Sequence, residues 1–118
     1  QKGEISLGYE EFARELKSGV GRFEFVTFDY GDRAPRPDFS IRIYKKHKTF
    51  PLFEEELKIS SMYKTSDITY DVNFTHLIDS FEDLGIKCES YKTQANALID
   101  FGILSLIEQL KNNVSTKI

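Results

Sequence analysis

The sequence predicts an α/β fold in which helices flank a small, mostly parallel sheet. Three observations carry that expectation. Phe25-Val26-Thr27-Phe28-Asp29-Tyr30-Gly31 is apolar or β-branched on both faces until it stops at an acid, an aromatic and a glycine, the pattern of a strand covered on both sides. Phe74, Leu77, Ile78, Phe81 and Leu84 recur at helical spacing, and Gly85 follows where a helix would end. The chain as a whole alternates helix, strand, excursion, helix, strand, helix, which suits a layered α/β arrangement.

Taken in order, Leu7, Phe12, Ala13 and Leu16 place a short amphipathic helix over residues 7–17, closed by Ser18-Gly19. Residues 23–29 form the first strand. Gly31 to Ser40 contains Pro35 and Pro37 and reads as an exposed excursion. Ile41, Ile43 and Tyr44 alternate with Arg42 and Lys45, the sign of a short strand. Between Phe50 and Ser66 the signals are mixed: Pro51, Leu52, Phe53 and three glutamates suit the start of a short helix, with Leu57 and Ile59 turned to the core. Asn73 or a neighbour caps the Phe74 helix. Ile86 to Ser90 is the next strand. Gln94 opens a helix with Ala97, Leu98 and Phe101 inward, bent or interrupted at Gly102 before Leu104, Ile107 and Leu110 continue the stripe. The polar tail, residues 112–118, reads as frayed.

At 118 residues with 40% hydrophobic content, a single domain with a modest core is expected over residues 1–118. Ten Phe and six Tyr supply that core without Trp. A net charge of −3 argues against a dedicated nucleic-acid binder, whose phosphate contacts need a basic field. Charge is uneven, however. Arg33, Arg36, Arg42, Lys45, Lys46 and Lys48 face only Asp38 within their segment, and Glu54-Glu55-Glu56 follows at once. Cys88 is the single cysteine, so no intramolecular disulfide can form and a reducing compartment is the default. No apolar run reaches the roughly 18 residues of a membrane span, and no export-type segment is seen.

Asp29-Tyr30-Gly31, Ser40-Ile41-Arg42-Ile43-Tyr44-Lys45-Lys46-His47, Asp67-Ile68-Thr69-Tyr70-Asp71-Val72-Asn73-Phe74 and Thr93-Gln94 occur in that order. With Gly85 and Gly102-Ile103, this set resembles the MidA-like family of S-adenosylmethionine-dependent methyltransferases. That family includes a mitochondrial arginine methyltransferase of respiratory complex I assembly. The resemblance spans residues 22–107 and departs at Asp71, where the family usually has histidine, and at Asn73, where it usually has an acid. It implies the C-terminal part of a class I, Rossmann-like methyltransferase sheet. The implied cofactor is S-adenosylmethionine, and the implied substrate is a protein, with a respiratory complex I subunit as one candidate. The setting would be the cytoplasm of a bacterium or the mitochondrial matrix.

No glycine-rich turn between a first strand and first helix is visible. Gly19-Val20-Gly21 follows a helix and precedes a strand, the wrong order for a cofactor cradle. The chain also begins at Gln1, so the expectation is a C-terminal portion of a larger enzyme, inactive alone.

Asp29 is the leading catalytic candidate, because strand ends in open α/β sheets face the ligand crevice. There it could bind the acceptor or, if partly buried, take its proton. Tyr30 could offer an aromatic face to a cation. Gly31, Asp67, Thr69, Asp71 and Asn73 would shape the acceptor pocket, although turn and capping roles explain Asp67, Thr69 and Asn73 equally well. Were Asp29 and Asp71 to converge, they could hold a cationic acceptor such as arginine. His47 and His76 lack partners at metal-ligand spacing, so no metal site is expected. The alternative function is a non-catalytic interaction or immunity-type domain that uses the basic segment 33–48.

Overall fold

The computed structural model describes residues 4–34, 37–51 and 59–115. Among them the order is α1 (Tyr9–Gly19), β1 (Gly31–Asp32), β2 (Arg42–Lys45), β3 (Lys48–Pro51), α2 (Ile59–Met62), β4 (Asp67–Thr69), β5 (Val72–Asn73), α3 (Phe74–Glu82), α4 (Gln94–Asp100) and α5 (Ile103–Ser115). The chain divides into two compact units, Gln1–Lys87 and Cys88–Ile118.

In the first unit, α1 and α3 form as the periodicity predicts. Acidic Glu10 and Glu11 in the first turn of α1 and Lys17 in its last suit the helix dipole. The Asn73 side chain accepts a hydrogen bond from the His76 amide at 3.1 Å and caps α3. After α3, Gly85 takes the left-handed conformation at φ 77°, while the Gly85 amide donates to Glu82 and the Ile86 amide to Phe81. The two helices pack through Ala13, fully buried, and Phe81, nearly so. Phe25 is wedged beside them, its ring stacked on Phe81 at 5.5 Å and meeting Phe12 edge-on at 5.5 Å. The Lys17 ammonium donates to the Leu84 carbonyl and joins the far ends of the same two helices.

The sheets depart from expectation. β1 pairs with β5 in parallel, whereas β3, β2 and β4 form a three-stranded antiparallel sheet in that order. The mostly parallel sheet is therefore corrected, among the described residues, to one parallel pair and one antiparallel sheet. Within the antiparallel sheet Ile43 is fully buried, the one inward residue of the expected alternation. Residues 23–29 carry no assigned strand, and the parallel pairing takes only Gly31 and Asp32. Nor are they covered on both sides: Phe25, which stacks against the helices, is still 43% exposed, Val26 63% and Phe28 47%. Residues 86–90 likewise carry no assigned strand. The helix suggested for residues 51–56 falls largely on residues 52–58, which lie outside those described.

In the second unit, Thr93 caps α4 through its hydroxyl, which accepts from the Asn96 amide at 3.3 Å. Gly102 at φ 91° separates α4 from α5, the predicted interruption. α5 continues to Ser115, with Leu104, Leu106, Ile107, Leu110 and Val114 exposed. Among the described residues, no helix is long and apolar enough to cross a membrane.

One glycine is set by sterics. A Cβ built on Gly31 would lie 2.1 Å from the Val72 carbonyl oxygen, whereas one on Gly21 would meet nothing within 4 Å. Gly31→Ala should therefore force β1 from β5 and cost about 1–3 kcal/mol, while Gly21→Ala stays within about 0.5 kcal/mol. Urea denaturation of both variants checks the contrast; equal midpoints would remove the close approach as a constraint.

Candidate functional site

The pairing of β1 with β5 brings together two segments some forty residues apart in sequence. Gly31 lies opposite Val72 and Asp32 opposite Asn73, and the Val72 amide donates to the Tyr30 carbonyl at 2.8 Å. Asp29-Tyr30-Gly31 and Asp71-Val72-Asn73 are thus neighbours along one parallel ladder. Thr75, in the first turn of α3, donates its hydroxyl to the Arg33 carbonyl at 2.7 Å and holds the chain as it leaves β1.

Each sequence-predicted residue has a definite place. Asp29 is exposed, and its Oδ1 accepts from the next amide, that of Tyr30, at 2.8 Å. Its carboxylate is at the surface, so the partial burial that a general-base role would use is not present. Tyr30 is 80% exposed, available as an open aromatic face rather than a core ring. Asp67 is exposed on β4 opposite Tyr44, and Thr69 lies opposite Arg42. Asn73 spends its side-chain oxygen on the α3 cap.

Asp71 is committed to an internal cation. Its Oδ1 accepts from Arg42 Nη1 at 2.9 Å, and both side chains are about one-quarter exposed. Hydrogen bonding to Asp71, then to Tyr44, drives the Arg42 pKa further up. Arg42 Nε also donates to the Tyr44 hydroxyl at 3.1 Å, with the guanidinium carbon 5.9 Å from that ring's centroid. Here Asp71 binds a guanidinium of its own chain, which places the acceptor-binding role proposed for it in competition with Arg42.

Sequence reasoning missed the hub beside this pair. Ser40 is buried, 3% exposed, immediately before β2. Its amide donates to Glu4 Oε1 at 3.0 Å, and its hydroxyl donates to the same oxygen. The Ile41 amide donates to Glu4 Oε2 at 3.2 Å. Ser40 Oγ in turn accepts from the Asp71 amide at 2.9 Å, and the Ser40 carbonyl accepts from Arg42 Nη1 at 2.9 Å. Neither periodicity nor spacing marks Glu4 or Ser40, because Glu4 lies 36 and 37 positions from its partners and Asp71 lies 31 positions beyond Ser40.

A second cluster joins α1 to the turn before β5. The Tyr9 and His76 rings sit 5.0 Å apart, and His76 Nε2 lies 3.8 Å from Glu10 Oε1. The Tyr9 hydroxyl lies near Ser6, Tyr70 and the Asn73 backbone, yet no contact reaches good hydrogen-bond geometry. Burial, with Tyr70 beside it, pushes the Tyr9 phenol up to about 12. Thr69 Oγ1 is buried and also without a hydrogen-bond partner among the described residues. No group of three or more His, Cys, Asp or Glu among those residues could hold a metal ion.

Gly19 ends α1, Val20 is extended, and Gly21 lies in open space, so this G-x-G does not open a helix whose amides could receive a ligand. Gly85 follows α3, and Gly102 lies between α4 and α5, its carbonyl accepting from the Leu106 amide at 3.3 Å. Comparison with protein-family models, with curated proteins and with solved structures finds no match for this chain.

The Tyr9 shift has a signed consequence. The folded phenol holds its proton to about 12 against 10.0 for an ordinary tyrosine, so above pH 10 the unfolded chain ionises first. The stability contributed by the neutral phenol is complete below pH 10 and is lost as pH rises toward 12. Tyr9→Phe should melt within a few degrees of the wild type at neutral pH and overtake it across that window. Thermal melts by circular dichroism check this; parallel curves for the two proteins would refute it.

Proposed function

We propose that this chain is the acceptor-side portion of an S-adenosylmethionine-dependent methyltransferase whose substrate is a protein arginine, with a respiratory complex I subunit as the leading candidate. The cofactor would be held by residues outside this chain. The setting is the bacterial cytoplasm or, in a eukaryote, the mitochondrial matrix. The observation that carries this reading is the parallel register of Gly31 on Val72, which sets Asp29-Tyr30-Gly31 beside Asp71-Val72-Asn73.

The chemistry available from these residues is recognition and orientation. A substrate guanidinium presents paired N–H donors to a carboxylate and a flat face to an aromatic ring. Asp29 and Tyr30, adjacent and exposed, supply one of each. Asp71 is occupied by Arg42, so its part is positional: the hydrogen bond its backbone N–H donates to Ser40 Oγ and its pairing with Arg42 hold the turn that leads into β5. For methyl transfer the acceptor nitrogen must lose a proton around the moment of attack and lie in line with the electrophilic methyl. Fixing the guanidinium plane serves that alignment.

Calorimetric titration of this chain with S-adenosylmethionine should show no micromolar binding. In the parent enzyme, Asp29→Asn should lower turnover roughly 100-fold through lost orientation of the guanidinium. Its melting temperature should be unchanged, because Asp29 is exposed and bonds only its neighbour's amide among the described residues. Micromolar cofactor binding by this chain alone, or full turnover in Asp29→Asn, would sink the proposal.

A further inference from the structure

The β2–β3 hairpin carries a turn built against its own stability. Lys45 pairs with Lys48, leaving Lys46 and His47 as a two-residue loop, at φ 49° and 64°. Positive φ at both positions is the geometry of a tight primed turn, which favours Asn-Gly and disfavours a side chain such as lysine, while histidine enters it more readily. Lys45 and Lys48, directly opposed across the strands, add like-charge repulsion. Lys46, His47 and Lys48 are all exposed, and no side-chain hydrogen bond or ion pair ties them to another described residue. Lys45 is half-buried, its ammonium 3.9 Å from the Met62 sulfur. Asp67, opposite Tyr44, is the acid that the register places closest to the loop.

We propose that this hairpin tip is a docking point for an acidic peptide segment of a partner protein. Backbone strain retained at a surface site is a pointer to function. Lysine on an edge strand would protect it from unwanted pairing, and Lys48 alone meets that need. It does not call for a lysine and a histidine in left-handed backbone. A partner with closely spaced carboxylates matches three lysines gathered within four consecutive residues. Nucleic acid or an anionic membrane suits them less well, because such surfaces would also meet the rest of a chain whose net charge is −3. This inference is independent of methyl transfer, since the tip contains neither Asp29 nor Tyr30.

The test replaces the strained pair with the residues that the turn prefers, Lys46→Asn with His47→Gly, and adds Lys48→Glu in a second variant. The probe is a fluorescein-labelled oligoglutamate peptide, followed by anisotropy at low and at moderate salt. Single-stranded DNA and phosphatidylserine vesicles are run alongside it. The expected result is peptide affinity lowered roughly tenfold by the Asn-Gly variant and further by Lys48→Glu. The Asn-Gly melting temperature should equal or exceed that of the wild type. Arg22→Glu, an exposed charge reversal outside the hairpin, should bind as the wild type does. Peptide affinity unchanged in the tip variants, absence of peptide binding by the wild type, or tighter binding of DNA or vesicles than of peptide would each overturn the proposal.

Discussion

The close approach of Gly31 to Val72 sets the geometry of the first unit. Two strand residues on each side make the shortest of parallel pairs, but their consequences spread because of what is attached to them. Asn73 is at once the ladder partner of Asp32 and the N-cap of α3. Placing Gly31 on Val72 therefore fixes where α3 begins, and α3 carries Phe81, against which Phe12 and Phe25 rest. A side chain at residue 31 would push the backbones apart at the point where strand pairing and helix capping share a residue. Thr75 reinforces the arrangement by bonding Arg33 just beyond the pair.

A buried polar hub connects that pair to the antiparallel sheet. β4 ends at Thr69 and β5 starts at Val72, so the chain passes from one sheet to the other across Tyr70 and Asp71 alone. Ser40 meets it there, accepting from the Asp71 amide while donating to Glu4. A buried hydroxyl with donor and acceptor roles filled is worth retaining, since leaving the Ser40 hydroxyl without one of its partners would cost about 1–3 kcal/mol. Arg42 completes the junction from β2 by reaching both the Ser40 carbonyl and Asp71. Two small sheets can thus adjoin at a two-residue crossing with few side chains.

What could be read from the sequence was what local rules determine. The stripe from Phe74 to Leu84, the Asn73 cap and the glycines after α3 and α4 all depend on neighbours within a few positions, and each took its expected form. The strand expected at residues 23–29 depends instead on what covers it. Apolar residues on both faces announce two-sided burial only if a second layer exists, and here the helices take Phe25 and leave Val26 and Tyr30 outward. The hub of Glu4, Ser40 and Asp71 was illegible for a related reason: its members are distant in sequence, and nothing in a serine before a strand distinguishes a surface cap from a buried hub.

The same ladder gives its two aspartates different circumstances. Asp71 precedes β5 and turns toward Arg42, where a charge-assisted bond engages it within the chain. Asp29 precedes β1 by one further residue and stays at the surface, bonding the amide that follows it. A carboxylate already holding a guanidinium gives up that bond before it can take another, whereas one engaged by a single neighbouring amide retains lone pairs for a new donor. If a cationic ligand is recognised at this junction, the difference assigns contact to Asp29 and support to Asp71. The division follows from which strand each acid precedes, and hence from the register that Gly31 permits.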